Sequence, residues 1–195
     1  MKKYELTDDS ITFMGRKLFR IRAIRSFNDV AVGDLGGYIE KEENLSHDND
    51  AWIYNNAYIF GNAWISGDAL IYGDAHIYGD ARICGKACVS GDACICDNAW
   101  IFGDARICDN AWIFGDARIS GDADYLYLKG LGSKNRNTTF FKCEDGHIHV
   151  SCGCFSGNLA EFETKVKKTH GDSKYAKEYL ACIEVVKIHF KEENK

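Results

Sequence analysis

From Ala51 to Asp122 the chain reads AWIYNN AYIFGN AWISGD ALIYGD AHIYGD ARICGK ACVSGD ACICDN AWIFGD ARICDN AWIFGD ARISGD, twelve hexads without an insertion or deletion. Ala opens every hexad. The third position is Ile in eleven hexads and Val89 in the other, and the fifth is Gly in nine and Asn55, Asp97 or Asp109 in three. Positions one and three share a parity, so in extended chain they point to one side. Positions two and four point to the other and vary among Trp, Arg, Cys, His, Tyr, Phe, Leu and Ser. A packed interior tolerates little change in volume and a surface tolerates much, so the Ala and Ile columns face inward. The fifth position accepts only the residue types that most readily enter positive φ, which makes it a turn. Short strands that turn once in every hexad cannot form hairpins. They can coil, each strand stacking in parallel on one from the next coil.

The hexads resemble those of hexapeptide-repeat proteins, whose left-handed parallel β-helix uses three hexads per triangular coil. The resemblance implies about four coils over residues 51–122. Outward side chains three hexads apart would then stack on one another. One face would carry Trp64, Arg82, Trp100 and Arg118, able to pair as cation–π contacts. A second would carry Tyr58, His76, Cys94 and Trp112 beside Phe60, Tyr78, Cys96 and Phe114. The third would carry Trp52, Leu70, Cys88 and Arg106 beside Tyr54, Tyr72, Ser90 and Cys108. Solvated faces normally carry Lys, Glu and Thr, and contiguous apolar patches usually mark contacts. The expectation is partner or subunit contact through at least one face, at Tyr58, Phe60, Trp64, His76, Tyr78, Arg82, Trp100, Trp112, Phe114 and Arg118. The alternative is that the flanking segments fold back over these faces.

The flanks divide the chain into an N-terminal β cap (1–50), the β-helix (51–124) and a C-terminal α+β module (125–195). In the cap, Ser10–Met14, Lys17–Ile24 and Tyr38–Ile39 read as strands, Asp34-Leu-Gly-Gly as a turn, and Asn44–Asp50 as a degenerate first repeat. In the module, Tyr125–Leu128, Thr138–Cys143 and His147–Cys152 read as strands. A helix starts near Asn158 with Glu161 as its capping partner, carries Leu159, Phe162 and Val166 on one face, and ends at His170-Gly171. Asp172 is the expected cap of a second helix presenting Tyr179, Ile183, Val186 and Phe190. The overall class is mainly β.

The segments FRIRAIRSF…VGDLGGYIEKEENLS (residues 19–46) and GCFSGNLAEFETKVKKTHGDSKYAKEYL (153–180), together with the GDA-type hexads, resemble hypothetical proteins carried by phages and prophages. That resemblance implies a phage setting and supplies no catalytic residues.

Function classes narrow further. With 195 residues and a net charge of −5, the chain offers nucleic acid and anionic membrane little broad attraction. No apolar run is long enough to span a bilayer, and Met1–Asp9 turns acidic where a signal peptide would turn apolar. The expected compartment is the cytoplasm, the host's if the protein is phage-encoded. The nine cysteines fit that reading: their number is odd, and five of them, Cys84, Cys88, Cys94, Cys96 and Cys108, stand at hexad positions filled elsewhere by Ser, Tyr, Phe, Trp or Arg, as interchangeable side chains in a reducing compartment do. Hexapeptide acyltransferases place a catalytic His near a subunit boundary and usually interrupt the coils with a loop over acyl-CoA. Here the coils run uninterrupted and His76 is the only histidine within them. Cys143, His147, His149, Cys152 and Cys154 have zinc-binding residue types, but strand alternation puts Cys152 on the face opposite the two histidines, so no metal or other cofactor is expected. The sixth-position column leans acidic, yet Asn interrupts it and Lys86 opposes it, which disfavours mimicry of a nucleic-acid backbone. The reading is a non-enzymatic phage or prophage protein that acts by protein–protein contact on a host or phage protein and assembles as a dimer or trimer. Inhibition of host defence, as by an anti-CRISPR type inhibitor, falls within that reading. The alternative is a hexapeptide-repeat acyltransferase using acyl-CoA.

Overall fold

A computed structural model describes residues 1–190. Each hexad contributes one two-residue strand, from β4 (Trp52–Ile53) to β15 (Arg118–Ile119). The strands stack in parallel on partners three hexads away, Trp52 on Leu70, Tyr58 on His76 and Trp64 on Arg82. Three hexads therefore close one coil and the solenoid has three faces. Every Ala–Ile pair of the hexads is buried, forming one continuous core. Eleven of the twelve fifth-position residues hold φ between 54° and 75°. The exception is Gly121, extended at φ −166°, where the chain leaves the solenoid.

An additional coil precedes the hexads and brings the solenoid to about five turns. It is built from β3 (Leu35–Ile39) and Leu45. Ile39 pairs with Ile59 and Leu45 with Ile65, each partner lying slightly farther along the chain than three hexads. Asn49, at φ 54°, restores the turn just before Asp50. The degenerate repeat expected at Asn44–Asp50 is thus the last side of this coil. Leu45 replaces the Ile, and buried Asn44 donates to the carbonyls of Gly61 and Ala63 at 3.2 and 2.8 Å. The turn expected at Asp34-Leu-Gly-Gly is displaced. Gly33 makes it, at φ 94°, while Gly36 and Gly37 lie within β3. A Cβ on Gly36 would meet Ile21 at 2.5 Å, and one on Gly37 would meet Ile53 at 2.5 Å. Those glycines serve close packing rather than positive φ.

Strands β1 (Tyr4–Phe13) and β2 (Arg16–Ala23) form a hairpin whose turn residues Met14 and Gly15 both have positive φ, as a two-residue hairpin turn requires. β2 pairs antiparallel with β3, extending one solenoid face into a seven-stranded sheet. At the other end, β16 (Tyr125–Leu131), β17 (Arg136–Lys142), β18 (Ile148–Cys152) and β19 (Phe155–Asn158) form an antiparallel sheet. Alternation along it serves two cores. Tyr125, Phe141 and Cys143 close the end of the solenoid, whereas Phe140, Val150 and Cys152 face the helices. Helix α1 (Leu159–His170) opens with the Asn158/Glu161 capping box and closes at Gly171. Helix α2 (Lys174–His189) is capped by Ser173 and not by Asp172, because the Ser173 hydroxyl is the group that accepts the Ala176 N–H. Phe162, Val166, Tyr179, Ile183 and Val186 are buried against the sheet, while Leu159 and Phe190 are half-buried around them.

Candidate functional site

The three outward faces, alike in sequence, differ in what covers them. The face of Tyr58, Phe60, His76 and Tyr78 lies under the chain's own hairpin. Phe13, at the hairpin tip, sits 5.0 Å from Tyr58, 5.8 Å from Phe60 and 4.8 Å from His76. Leu18 and Tyr38 complete the cover, leaving Phe60 4% exposed. The tip is tied down by Arg16, which donates to Glu40 at 2.8 Å, while Glu40 also accepts the Gly61 N–H at 2.7 Å. These four residues are thus packed in cis, the alternative that the sequence left open. The same face is covered again at its far end, where Phe114 packs on Phe141 and His149. Beside Phe114, on the last strand of that sheet, Trp112 remains 44% exposed.

The face led by Trp52 is also closed at its start. Trp52 is 1% exposed and lies 5.4 Å from Phe27 and 6.3 Å from Tyr4. Next to it Tyr54 stacks on Tyr72 at 4.5 Å and donates to Asp29 at 2.7 Å.

The remaining face stays open. Trp64, Arg82, Trp100 and Arg118 are adjacent rungs of one sheet. Trp64 is 45% and Trp100 38% exposed, and Arg82 is exposed between them. The Arg118 guanidinium lies over the Trp100 ring at 5.4 Å and pairs with Glu144 at 3.0 Å. Trp100 is anchored from below by its indole N–H, which donates to Cys84 Sγ at 3.3 Å. Beside the rungs runs the sixth-position column, where Asn62 donates to Asp80 at 3.0 Å and Asn98 to Asp116 at 3.1 Å. Asn alternating with Asp sets a donor against an acceptor at these rungs and separates like charges. Asp80, Asn98, Trp100 and Asp116 with both arginines line a shallow cleft.

Several groups elsewhere have the chemistry of a catalyst. Burial holds the His76 imidazole below its ordinary range, against the opposing pull of Asp74 and Asp92, so it is neutral near pH 7. Its neighbours are the rings of Phe13 and Tyr58. Cys96 shares a hydrogen bond with Cys94 that draws the Cys96 thiol down to about 7, against burial. Cys96 itself is buried. All nine cysteines are free thiols. The five-residue Cys/His set splits. Cys143, His147 and His149 come together, whereas Cys152 accepts a hydrogen bond from Thr138 at 3.1 Å on the helix side of the sheet and Cys154 is exposed. Among the described residues, no helix is long and apolar enough to cross a membrane.

No family model matches the chain. The chain is similar to an uncharacterized acetyltransferase, YdcK, of Escherichia coli (strain K12), with 39% identity over 69 residues that cover 31% of this chain and 21% of that protein. The matched stretch thus spans about a fifth of that relative's length.

Proposed function

We propose that this chain is a non-enzymatic binding protein that docks a partner protein on its open tryptophan–arginine face. One observation carries the reading. Of three faces rich in aromatic side chains, the chain's own caps cover one at both ends and another at its start, while Trp64, Arg82 and Trp100 project from the third. Trp and Arg are the side chains that most often carry binding energy at interfaces, and a rigid ladder presents them at little entropic cost. In a phage-borne setting the partner is a host or phage protein, a component of host defence included. Exposed Trp112 offers a second contact through which copies of the chain would form a dimer or trimer.

A second reading, a hexapeptide-repeat acyltransferase, is favoured by the similarity to the E. coli acetyltransferase. In that reading neutral His76 would be the general base, and Phe13 would have to move for substrate to reach it. One experiment separates the two. Purified wild type, Trp100→Glu and His76→Ala are each assayed for acetyl-CoA turnover and for a stoichiometric complex with a protein of the host. The binding reading expects no turnover, and a complex that Trp100→Glu abolishes while its circular dichroism is unchanged and that His76→Ala retains. Acetyl transfer that depends on His76 would falsify it.

A further inference from the structure

Where the β17–β18 hairpin turns over the last coil, three side chains with metal-binding chemistry converge. Phe141 pairs with His149 and Lys142 with Ile148, and the Cys143 N–H donates to the His147 carbonyl at 3.0 Å. Cys143 therefore lies directly across from His147, with His149 one same-face step along the strand. Gly146, at φ 84°, makes the tight turn, and its N–H donates to the Cys143 carbonyl at 2.9 Å. One ligand atom from each of Cys143, His147 and His149 lies within 4.8 Å of the other two. Tetrahedral zinc, with bonds of about 2.3 Å to sulfur and roughly 2.0–2.1 Å to nitrogen, needs separations of roughly 3.5 Å. Binding zinc would draw the three groups in from within 4.8 Å of one another to that spacing.

The surroundings fit a cation. The Asp145 carboxylate holds His147 at Nδ1 and also accepts its backbone N–H at 3.1 Å. A carboxylate on one imidazole nitrogen is the usual support for a histidine that binds metal through the other. His149 is held by Ser156 Oγ at 3.0 Å on Nε2 and by the rings of Phe141 and Phe114 at 5.2 and 5.1 Å. Burial, and after it the carboxylates of Asp145 and Asp116, push the Cys143 thiol up to about 11, so a metal ion must displace that proton on binding. Thiolate with two imidazoles suits a borderline ion and not magnesium or calcium. We propose that Cys143, His147 and His149 bind Zn²⁺, with the fourth coordination position open to solvent beside exposed His147. The ion would tie the two strands of the hairpin together at the place where it meets the solenoid, where the Glu144 N–H donates to the Asp116 carbonyl at 2.9 Å and Cys143 bridges Ala117.

The test titrates reduced, chelator-treated full chain with Co²⁺ as the optical probe and follows thermal unfolding with Zn²⁺. The expected result is one Co²⁺ per chain with tetrahedral absorption and a thiolate charge-transfer band. Cys143→Ser should abolish that band. His147→Gln and His149→Gln should weaken binding at least tenfold, and Asp145→Asn about tenfold, while Cys154→Ser should change nothing. Zn²⁺ should raise the unfolding midpoint of wild type and not of His147→Gln. Cys143 is buried, so its variant is paired with His147→Gln, which alters an exposed turn and leaves the fold intact. Failure of wild type to bind an equivalent of Co²⁺, or a spectrum unchanged in His147→Gln, overturns the proposal.

Discussion

Gly91 and Ser90 are neighbours in one hexad, yet their tolerances to substitution are opposite. Gly91 has φ 75°, and a Cβ there would stand 2.6 Å from the Asp109 carbonyl of the next coil. Ser90 is half-buried in extended chain, with its hydroxyl 3.4 Å from the Ile107 carbonyl. A β-branched residue at positive φ is strained even without a neighbour. Gly91→Val is therefore expected to lose about 3 kcal/mol or more, and Ser90→Val under about 1 kcal/mol. Gly91→Asn should fall between them, because Asn55, Asp97 and Asp109 occupy equivalent corners at φ 54°, 57° and 58°. Denaturant midpoints of the three variants check the order, and equal losses for the two valine variants would remove the turn assignment.

At the scale of elements, the β1–β2 hairpin decides which aromatic face is solvent-exposed. At its tip Phe13 packs among Tyr58, Phe60 and His76 and Arg16 pairs with Glu40, while behind the tip Leu18 is buried and β2 pairs with β3. Surface ion pairs contribute little, so at the tip itself the ring supplies most of the hold. Phe13→Ala should destabilise the chain by about 1–2 kcal/mol, the share expected of a partly buried Phe. It should also speed tryptic cleavage after Arg16 and let the His76 pKa rise toward its ordinary value as water returns. Unchanged cleavage, together with an unmoved His76 titration by NMR, would show that the hairpin stays seated without Phe13.

The molecule as a whole should lose stability on acidification in two stages. Burial holds His47 and His76 below the ordinary imidazole value of 6.5; Glu42, Lys2 and Lys3 face His47, and Asp74 and Asp92 face His76. The unfolded chain takes up these protons first, so stability present above about pH 6.5 declines as pH falls toward the folded values. Glu40 and Asp124 then add a second decline. Burial opposes their ionisation, but the Gly61 amide with Arg16, and Ser120 with Lys142, hold both carboxyls below their ordinary range. Their contribution is present above the unfolded values and is lost as pH falls through the folded ones. The unfolding midpoint should therefore drop between about pH 7 and about pH 5 and more steeply below about pH 4.5. His76→Gln should flatten the upper stage, and a midpoint independent of pH over that upper range would contradict the burial of these rings.

The coils were legible in the primary structure because each repeat position answers to one local constraint. Ala and Ile fill a narrow interior, and Gly, Asn or Asp meets positive φ at each corner. Repetition without insertion carries both constraints through residues 51–122. The coil before them was not legible as one, because Leu45 and Ile65 stand slightly farther apart in the chain than three hexads, and its glycines at 36 and 37 answer to close packing. Capping of α1 was legible at Asn158 and Glu161, the spacing of a capping box, whereas the choice of Ser173 over Asp172 depended on how the backbone entered α2. The candidate site divides in the same way. Stacking of successive coils aligned Trp64, Arg82, Trp100 and Arg118. Which face remained open was decided by where Phe13, Phe27 and Phe141 came to rest, contacts between segments far apart in the chain. The Cys143, His147 and His149 cluster likewise exists because a hairpin turn placed Cys143 opposite His147, a pairing that spacing alone does not specify.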